Sequence, residues 1–458
     1  MFASDVPMTI ADRHATALHA GPRPPLTLPY PRGDMLYHAY ESHCGMLWPL
    51  QAAASSAVPH LNRAREGATS AAAVRRVAAA CEVFLLARLT HVRPPFSIDT
   101  VESNGCTVAV REEVAACTPF ATLLRFCKDM ADPGPRVLIV APMSGHFATL
   151  LRDTVRTMLA DHDVYITDWH NARDVPILAG RFGLDEYTGH VISFVDVLGP
   201  GAHLMAICQP CVAALAAVAL MAEDDHPATP ASVTLMAGPI DCRIAPTEVN
   251  RLATDRPIAW FEQNLISIVP LRYAGAMRRV YPGFVQLASF MSMNLEKHQE
   301  AHLRYLQQLM DGDGDSAEKH LEFYDEYLAA LDLTEEFYLQ TVDVVFQRYL
   351  LPKGELEHRG RPVRPELITD IALLTVEGEN DDISGIGQTQ AAHALCSGIP
   401  EAMKHDYVQP KVGHYGVFNG KRFREEIYPK VRALIWTTEL EIQRSTAANP
   451  LPKSAEAA

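Results

Sequence analysis

Between Arg136 and Ala237, short apolar runs alternate with stretches of helical spacing. Val137-Leu-Ile-Val-Ala141 is apolar throughout, Thr149 to Leu159 has helical periodicity, and Val164-Tyr-Ile-Thr-Asp-Trp169 is again strand-like. A helix follows from about Asp185 to Leu198, then a short apolar run His203–Ile207. Val212 to Ala222 reads VAALAAVALMA, which suits a buried helix, and Ser232–Ala237 is a further strand. Strands that are apolar on both faces and alternate with helices predict a parallel sheet covered on both sides. After Ile244 the pattern changes. Residues 246–365 are mostly helical and rich in aromatics, with no convincing strand. The α/β pattern resumes with strands at Ile371–Val376 and Ala402–Val408 and a last helix from about Arg422 to Thr438. The expected architecture is an α/β core interrupted by a helical cap.

The segment ahead of this core is different. Met35 to about Leu89 reads as helical and is stopped by Pro94-Pro95. Two strands, Phe96–Val101 and Thr107–Arg111, flank a Ser-Asn-Gly turn and predict a hairpin. Ala121 to Phe126 fits a strand or a short helix. Residues 1–34 are proline-rich and aperiodic, as expected of a disordered extension. The expected organisation is therefore an extension (1–34), a helical region (35–95), the first part of the core (96–245), the cap (246–365), the second part of the core (366–440) and a flexible tail (441–458).

The sharpest local feature is the passage from the 203–207 strand to the 212–222 helix. Only Cys208, Gln209 and Pro210 lie before Cys211, so the chain has to turn abruptly with Cys208 at the apex. Free N–H groups and partial positive charge at a helix start favour a thiolate and an oxyanion beside it. The shape is that of a nucleophile elbow, here with cysteine in place of serine and Ala206 and Pro210 in place of the flanking glycines. Two other readings compete: a structural cysteine at a strand end, and a redox pair, since Cys208-Gln-Pro-Cys211 is also a C-x-P-C at a helix start.

Composition narrows the field. The 458 residues carry a formal net charge of −15, which disfavours nucleic-acid and anionic-membrane partners. The nine cysteines lack framework spacing and read as reduced thiols of a cytoplasmic protein; no signal peptide or apolar run of membrane-spanning length is legible. Asp311-Gly-Asp-Gly-Asp315 with Glu322 hints at a calcium loop, but Ser316 stands where glycine is needed. His298 and His302 share a helix face without a third ligand, so no metal is expected.

Loop residues after successive strands now fall in the order Cys208, Asp381 or Asp382, His414: the nucleophile–acid–base order of α/β-hydrolases. Gly413 and Gly416 flank the histidine, and Pro142-Met-Ser-Gly-His146 follows an earlier strand. That loop, at Met143 and Ser144, would supply one oxyanion donor, and the N–H of Gln209 the other. Several segments together resemble the intracellular poly(3-hydroxybutyrate) depolymerases: AICQPC at 206–211, APMSGHFATLLRDTV at 141–155, TDWHNARDVP at 167–176, MAGPIDCRIAPTEVN at 236–250, DGDGDSAE at 311–318 and VGHYGVFNG at 412–420. The resemblance spans roughly Met35 to Trp436. It implies an α/β-hydrolase fold related to polyhydroxyalkanoate synthases, with Cys208 as nucleophile, His414 as base and Asp381, the first of the acidic pair, as acid. It also implies a cofactor-free enzyme at the surface of stored polymer granules that cleaves ester bonds through an acyl-thioester. A synthase-like acyltransferase, with a thiol or polymer hydroxyl as acceptor, shares that intermediate and is the alternative. Trp260 and Phe261 of the cap are candidates for contact with the polymer. Oligomeric state is not legible.

Overall fold

The computed structural model describes residues 34–64, 71–86, 89–293, 295–311 and 313–448. The proline-rich extension assigned to 1–34 lies outside the described residues but for Asp34, which begins the first helix.

Nine strands build one sheet: β1 (Thr100–Ser103), β2 (Cys106–Cys117), β3 (Ala121–Lys128), β4 (Arg136–Val140), β5 (Asp163–Trp169), β6 (His203–Ile207), β7 (Ser232–Met236), β8 (Ala372–Gly378) and β9 (Lys404–Gln409). Their order is β1-β2-β3-β5-β4-β6-β7-β8-β9. The first strands pair antiparallel up to β3 with β5, and every pairing from β5 across to β9 is parallel. A mostly parallel sheet with an antiparallel edge and a β5-β4-β6 crossover is the α/β-hydrolase arrangement. Ala121–Phe126, left between strand and helix by its sequence, is a strand because β2 and β5 flank it.

The helices that matter for the site are α1 (Asp34–Ala64) and α2 (Ala71–Leu86) ahead of the sheet, then α3 (Arg152–Leu159), α4 (Leu184–Leu198) and α5 (Cys211–Glu223). Helix α5 is buried from Cys211 through Met221. It has no polar face because it lies within the core rather than on it, and its alanines let it approach the sheet closely. Strands β4 to β8 are buried almost end to end, so each valine, leucine or isoleucine there contributes on the order of 1.5–3 kcal/mol.

The cap follows β7: α6 (Glu248–Thr254), α7 (Ile258–Leu265), α8 (Gly283–Met293), α9 (Leu295–Asp311), α10 (Gly314–Tyr327) and α11 (Glu335–Gln340). The expectation of a mostly helical cap with no convincing strand needs correction. Ser267–Ile268, Arg279–Tyr281 and Leu333–Thr334 form a small antiparallel sheet. Segments of two or three residues carry no readable period, so only their partners define them. The last helix, α12 (Tyr428–Ala448), also runs into the region expected to be a flexible tail.

The short stretch from Leu328 to Asp332 ties the parts together. Ala330 N–H donates to Thr90 O at 2.8 Å, and Leu331 N–H to Gly145 O at 2.9 Å. The hydroxyl of Tyr37 on α1 donates to Asp332 Oδ2 at 2.9 Å. Asp332 is fully buried, and that burial, opposed by the Gly283 N–H and by Arg173, raises its carboxyl to about 6.

Buried neutral histidines make stability pH-dependent. Burial lowers His91 to about 3 and His146 and His162 each to about 4. For a base held below its unfolded value near 6.5, stability is present above that value and is lost as pH falls toward the folded one. Each such histidine contributes a slope of about 1.4 kcal/mol per pH unit through that window. Asp332, Asp168 and Asp325, raised rather than lowered, act the other way, while His190, His302, His320, His358 and His393, also lowered by burial, add to the histidine side. The urea midpoint is expected to fall steadily between about pH 6.5 and 4; a flat midpoint would mean that these rings protonate in the folded protein.

Among the described residues, no helix is long and apolar enough to cross a membrane, and no group of three or more His, Cys, Asp or Glu is placed to hold a metal ion.

Candidate active site

Strand β6 ends at Ile207, and Cys208 turns the chain with φ at +67°, the left-handed region that non-glycine residues rarely occupy. The turn is fixed on both sides. Cys208 N–H donates to Met236 O at 2.7 Å, and Cys211 N–H returns to Cys208 O at 3.1 Å. Pro210, at φ −60°, leads directly into α5.

The strained turn needs room behind it, and Gly238 provides it. A Cβ at 238 would overlap Cys211 Cβ and Sγ and stand 3.0 Å from Cys208 O. The Gly238 peptide is held by Thr389, whose hydroxyl accepts from Gly238 N at 2.8 Å and donates to Gly238 O at 3.0 Å. The buried Glu377 carboxylate in turn accepts the N–H groups of Gly387, Thr389 and Gln390. Neither Gly238 nor this support stood out in the sequence; a glycine directly after a predicted strand end was the available signal.

Asp381 follows β8 and His414 follows β9, so both lie at the carboxyl edge of the sheet with Cys208. Their loops are stitched together: Glu379 N–H donates to Gln409 O at 3.0 Å and Asn380 N–H to Val412 O at 2.9 Å. The result is a direct pair. His414 Nδ1 stands 2.9 Å from Asp381 Oδ2 and 3.1 Å from Oδ1. Asp381 Oδ1 also accepts N–H groups of Ile383 at 2.8 Å and Ser384 at 2.9 Å, which fixes the carboxylate. The His414 ring is buried, which by itself favours the neutral form. The Asp381 carboxylate and, after it, the nearby sulfur of Cys208 outweigh that and raise the imidazolium well above the ordinary histidine range.

Of the acidic pair, Asp381 therefore meets the histidine. Asp382 is exposed and lies in the electrostatic reach of Tyr327 and Tyr415. Those two rings, 6.4 Å apart, join the cap to the histidine loop. Burial pushes Tyr327 up to about 12 and Tyr415 higher still, so both phenols are neutral hydrogen-bonding groups.

Met143 and Ser144 lie in the loop after β4, Met143 buried and Ser144 half-buried. Met143 N–H points toward the elbow and meets the Gln209 side-chain carbonyl at 3.4 Å. Gly145, at φ +93°, allows the loop to pass beneath the cap; a Cβ there would lie 2.6 Å from Gln286 Cγ. The two cap aromatics are placed differently. Trp260 is 37% exposed, whereas Phe261, at 7%, is packed into a cap cluster with Ala253 and Val342. Phe261 thus has little surface to offer a polymer: α7 buries that face against the cap interior.

Residues 237–439 match the family described as PHB de-polymerase C-terminus. The second half of the chain is thus similar to the C-terminal part of the poly(3-hydroxybutyrate) depolymerases. The matched region contains Asp381 and His414 and begins beyond Cys208. This likeness to a depolymerase family supports a hydrolase. No curated protein matches it. Among solved structures it is similar to an esterase from Thermogutta terrifontis, at 12% identity and a TM-score of 0.36, covering 73% of this chain and 98% of the other. An enol-lactonase from Burkholderia xenovorans LB400 gives 11% identity and a TM-score of 0.37 over 74% and 99% of the two chains. The 2-hydroxy-6-oxo-6-phenylhexa-2,4-dienoate hydrolase of Rhodococcus sp. strain RHA1 gives 11% and 0.36 over 72% and 99%. The depolymerase assignment rests on the family match, and the fold on the sheet order itself.

Proposed function

We propose that the chain hydrolyses ester bonds of stored poly(3-hydroxybutyrate) through Cys208, His414 and Asp381. The observation that carries this reading is the buried Asp381–His414 pair beside a cysteine on a strained strand-to-helix turn. Asp381 holds the ring so that Nε2 serves the sulfur, and His414 takes the Cys208 proton. The thiolate attacks an ester carbonyl carbon. The C–O bond to the rest of the polymer breaks, and that oxygen leaves as an alcohol with the proton from His414. The 3-hydroxybutyryl thioester is then attacked by water, which gives its proton to His414; the acid leaves and the thiol is restored. The N–H groups of Gln209 and Met143 stabilise the oxyanion in both steps. No step calls for a cofactor or metal.

The partner in this reading is the granule surface, and the setting is the cytoplasm of a polymer-storing cell. Trp260 is one apolar contact for it, and α1 adds Met46 and Trp48, 77% and 68% exposed. The test is product analysis with amorphous granules, with and without coenzyme A. Free 3-hydroxybutyrate and its oligomers are expected in both cases. Formation of a 3-hydroxybutyryl-coenzyme A thioester at the expense of free acid would replace hydrolysis by acyl transfer.

A further inference from the structure

Gln209 enters the site twice. Its backbone N–H lies one residue beyond the elbow, where an oxyanion donor belongs. Its side chain turns back, and Oε1 accepts the Met143 N–H at 3.4 Å. The second donor of the oxyanion hole is therefore already occupied. Its occupant is a neutral carbonyl oxygen, chemically close to the ester carbonyl that has to enter.

Only one partner in this contact is free to move. The loop bearing Met143 is pinned: Leu331 N–H donates to Gly145 O at 2.9 Å, and Gln286 packs against Gly145. Met143 itself is 1% exposed. Gln209 is half-buried, and its side chain has rotatable bonds. At 3.4 Å the bond is long for N–H···O, hence readily exchanged.

We propose that the Gln209 side chain is a gate: it fills the oxyanion position in the resting enzyme and is displaced by the substrate carbonyl before Cys208 attacks. The proposal rests on the reading of Cys208 as nucleophile and of Met143 N–H as oxyanion donor. Displacement exchanges one carbonyl acceptor for another but requires the side chain to be moved and resolvated. A polymer chain meets that cost with contacts along several units; a small soluble ester has none to spare. Gln209 is then a specificity-determining residue that biases the site against short esters.

The test compares the full-length wild type with Gln209→Ala and Gln209→Met, on p-nitrophenyl butyrate and on amorphous polymer. Methionine keeps the side-chain length without the carbonyl, and thermal melting checks that both variants fold. Both are expected to raise kcat/KM for the small ester about 3–10-fold, the size of one net hydrogen bond, and to raise the ratio of small-ester to polymer turnover. Equal loss on both substrates would make Gln209 a support for the Met143 peptide and overturn the gate. No change on either would overturn it as well. Mass analysis of the quenched protein separates this from failure of the underlying reading. If neither wild type nor Gln209→Met carries an acyl group on Cys208, the nucleophile assignment falls; if both acylate at the same rate, the gate alone falls.

Discussion

Cys208→Ala is expected to lower polymer turnover by about 10⁴–10⁶-fold, the usual consequence of removing a nucleophile that acts as one unit with its base. The folded structure should survive. Alanine fits the volume of a half-buried thiol, and the elbow's bonds, Cys208 N–H to Met236 O and Cys211 N–H to Cys208 O, are all backbone. The companion variant is Cys211→Ser, expected to stay within about threefold of wild type. Cys211 Sγ is buried 3.4 Å from Ala206 O, and burial pushes its thiol far above the cysteine range, so it is no partner for thiol exchange. Release of 3-hydroxybutyrate from amorphous granules measures both. Equal loss in the two variants would revive the redox pair, and survival of turnover in Cys208→Ala would make the elbow a structural feature only.

The second large effect separates two adjacent carboxylates. Asp381→Asn is expected to reduce kcat by about 10²–10⁴-fold, because an amide in that place favours the wrong imidazole tautomer and removes the charge opposite the imidazolium. Asp382→Asn should stay within about threefold. The geometry makes the contrast sharp: the Asp381 side chain is fully buried against His414, whereas Asp382 is exposed. The pH profile adds a second readout. In wild type the Asp381 carboxylate and Cys208 hold the imidazolium well above the ordinary range. Loss of the carboxylate should let burial lower it, moving the acidic limb of the profile to lower pH. A large loss in Asp382→Asn with Asp381→Asn unaffected would reassign the acid.

Much of the core was legible because its strands are buried on both faces. Runs such as Val137–Ala141 and His203–Ile207 have no polar side to blur them. The elbow was legible for a geometric reason: only a sharp turn can join that strand to that helix. The choice within Asn380-Asp-Asp-Ile383 was not legible from the residues, since both acids are equally plausible at a loop tip. The backbone stitches between the two loops make the difference, and these are contacts of distant residues. The short cap strands, the burial of Phe261 and the turn-back of Gln209 share that cause. Each is set by a partner far along the chain, not by local periodicity.

The Leu328–Asp332 stretch has a consequence for biosynthesis. Tyr37 and Asp332 are 295 positions apart, and His91 bonds Ala330 O across 239. Helix α1 and the segment around His91 therefore wait until residues near 330 have been made before these partners exist. Contacts of such separation form late, and apolar surface exposed in the interval invites association between nascent chains. Removing α1 and α2 would not relieve this. It would leave the Asp332 carboxyl buried without its phenol. Helix α1 is thus secured only after residue 332 has been made, although it precedes the sheet in the chain.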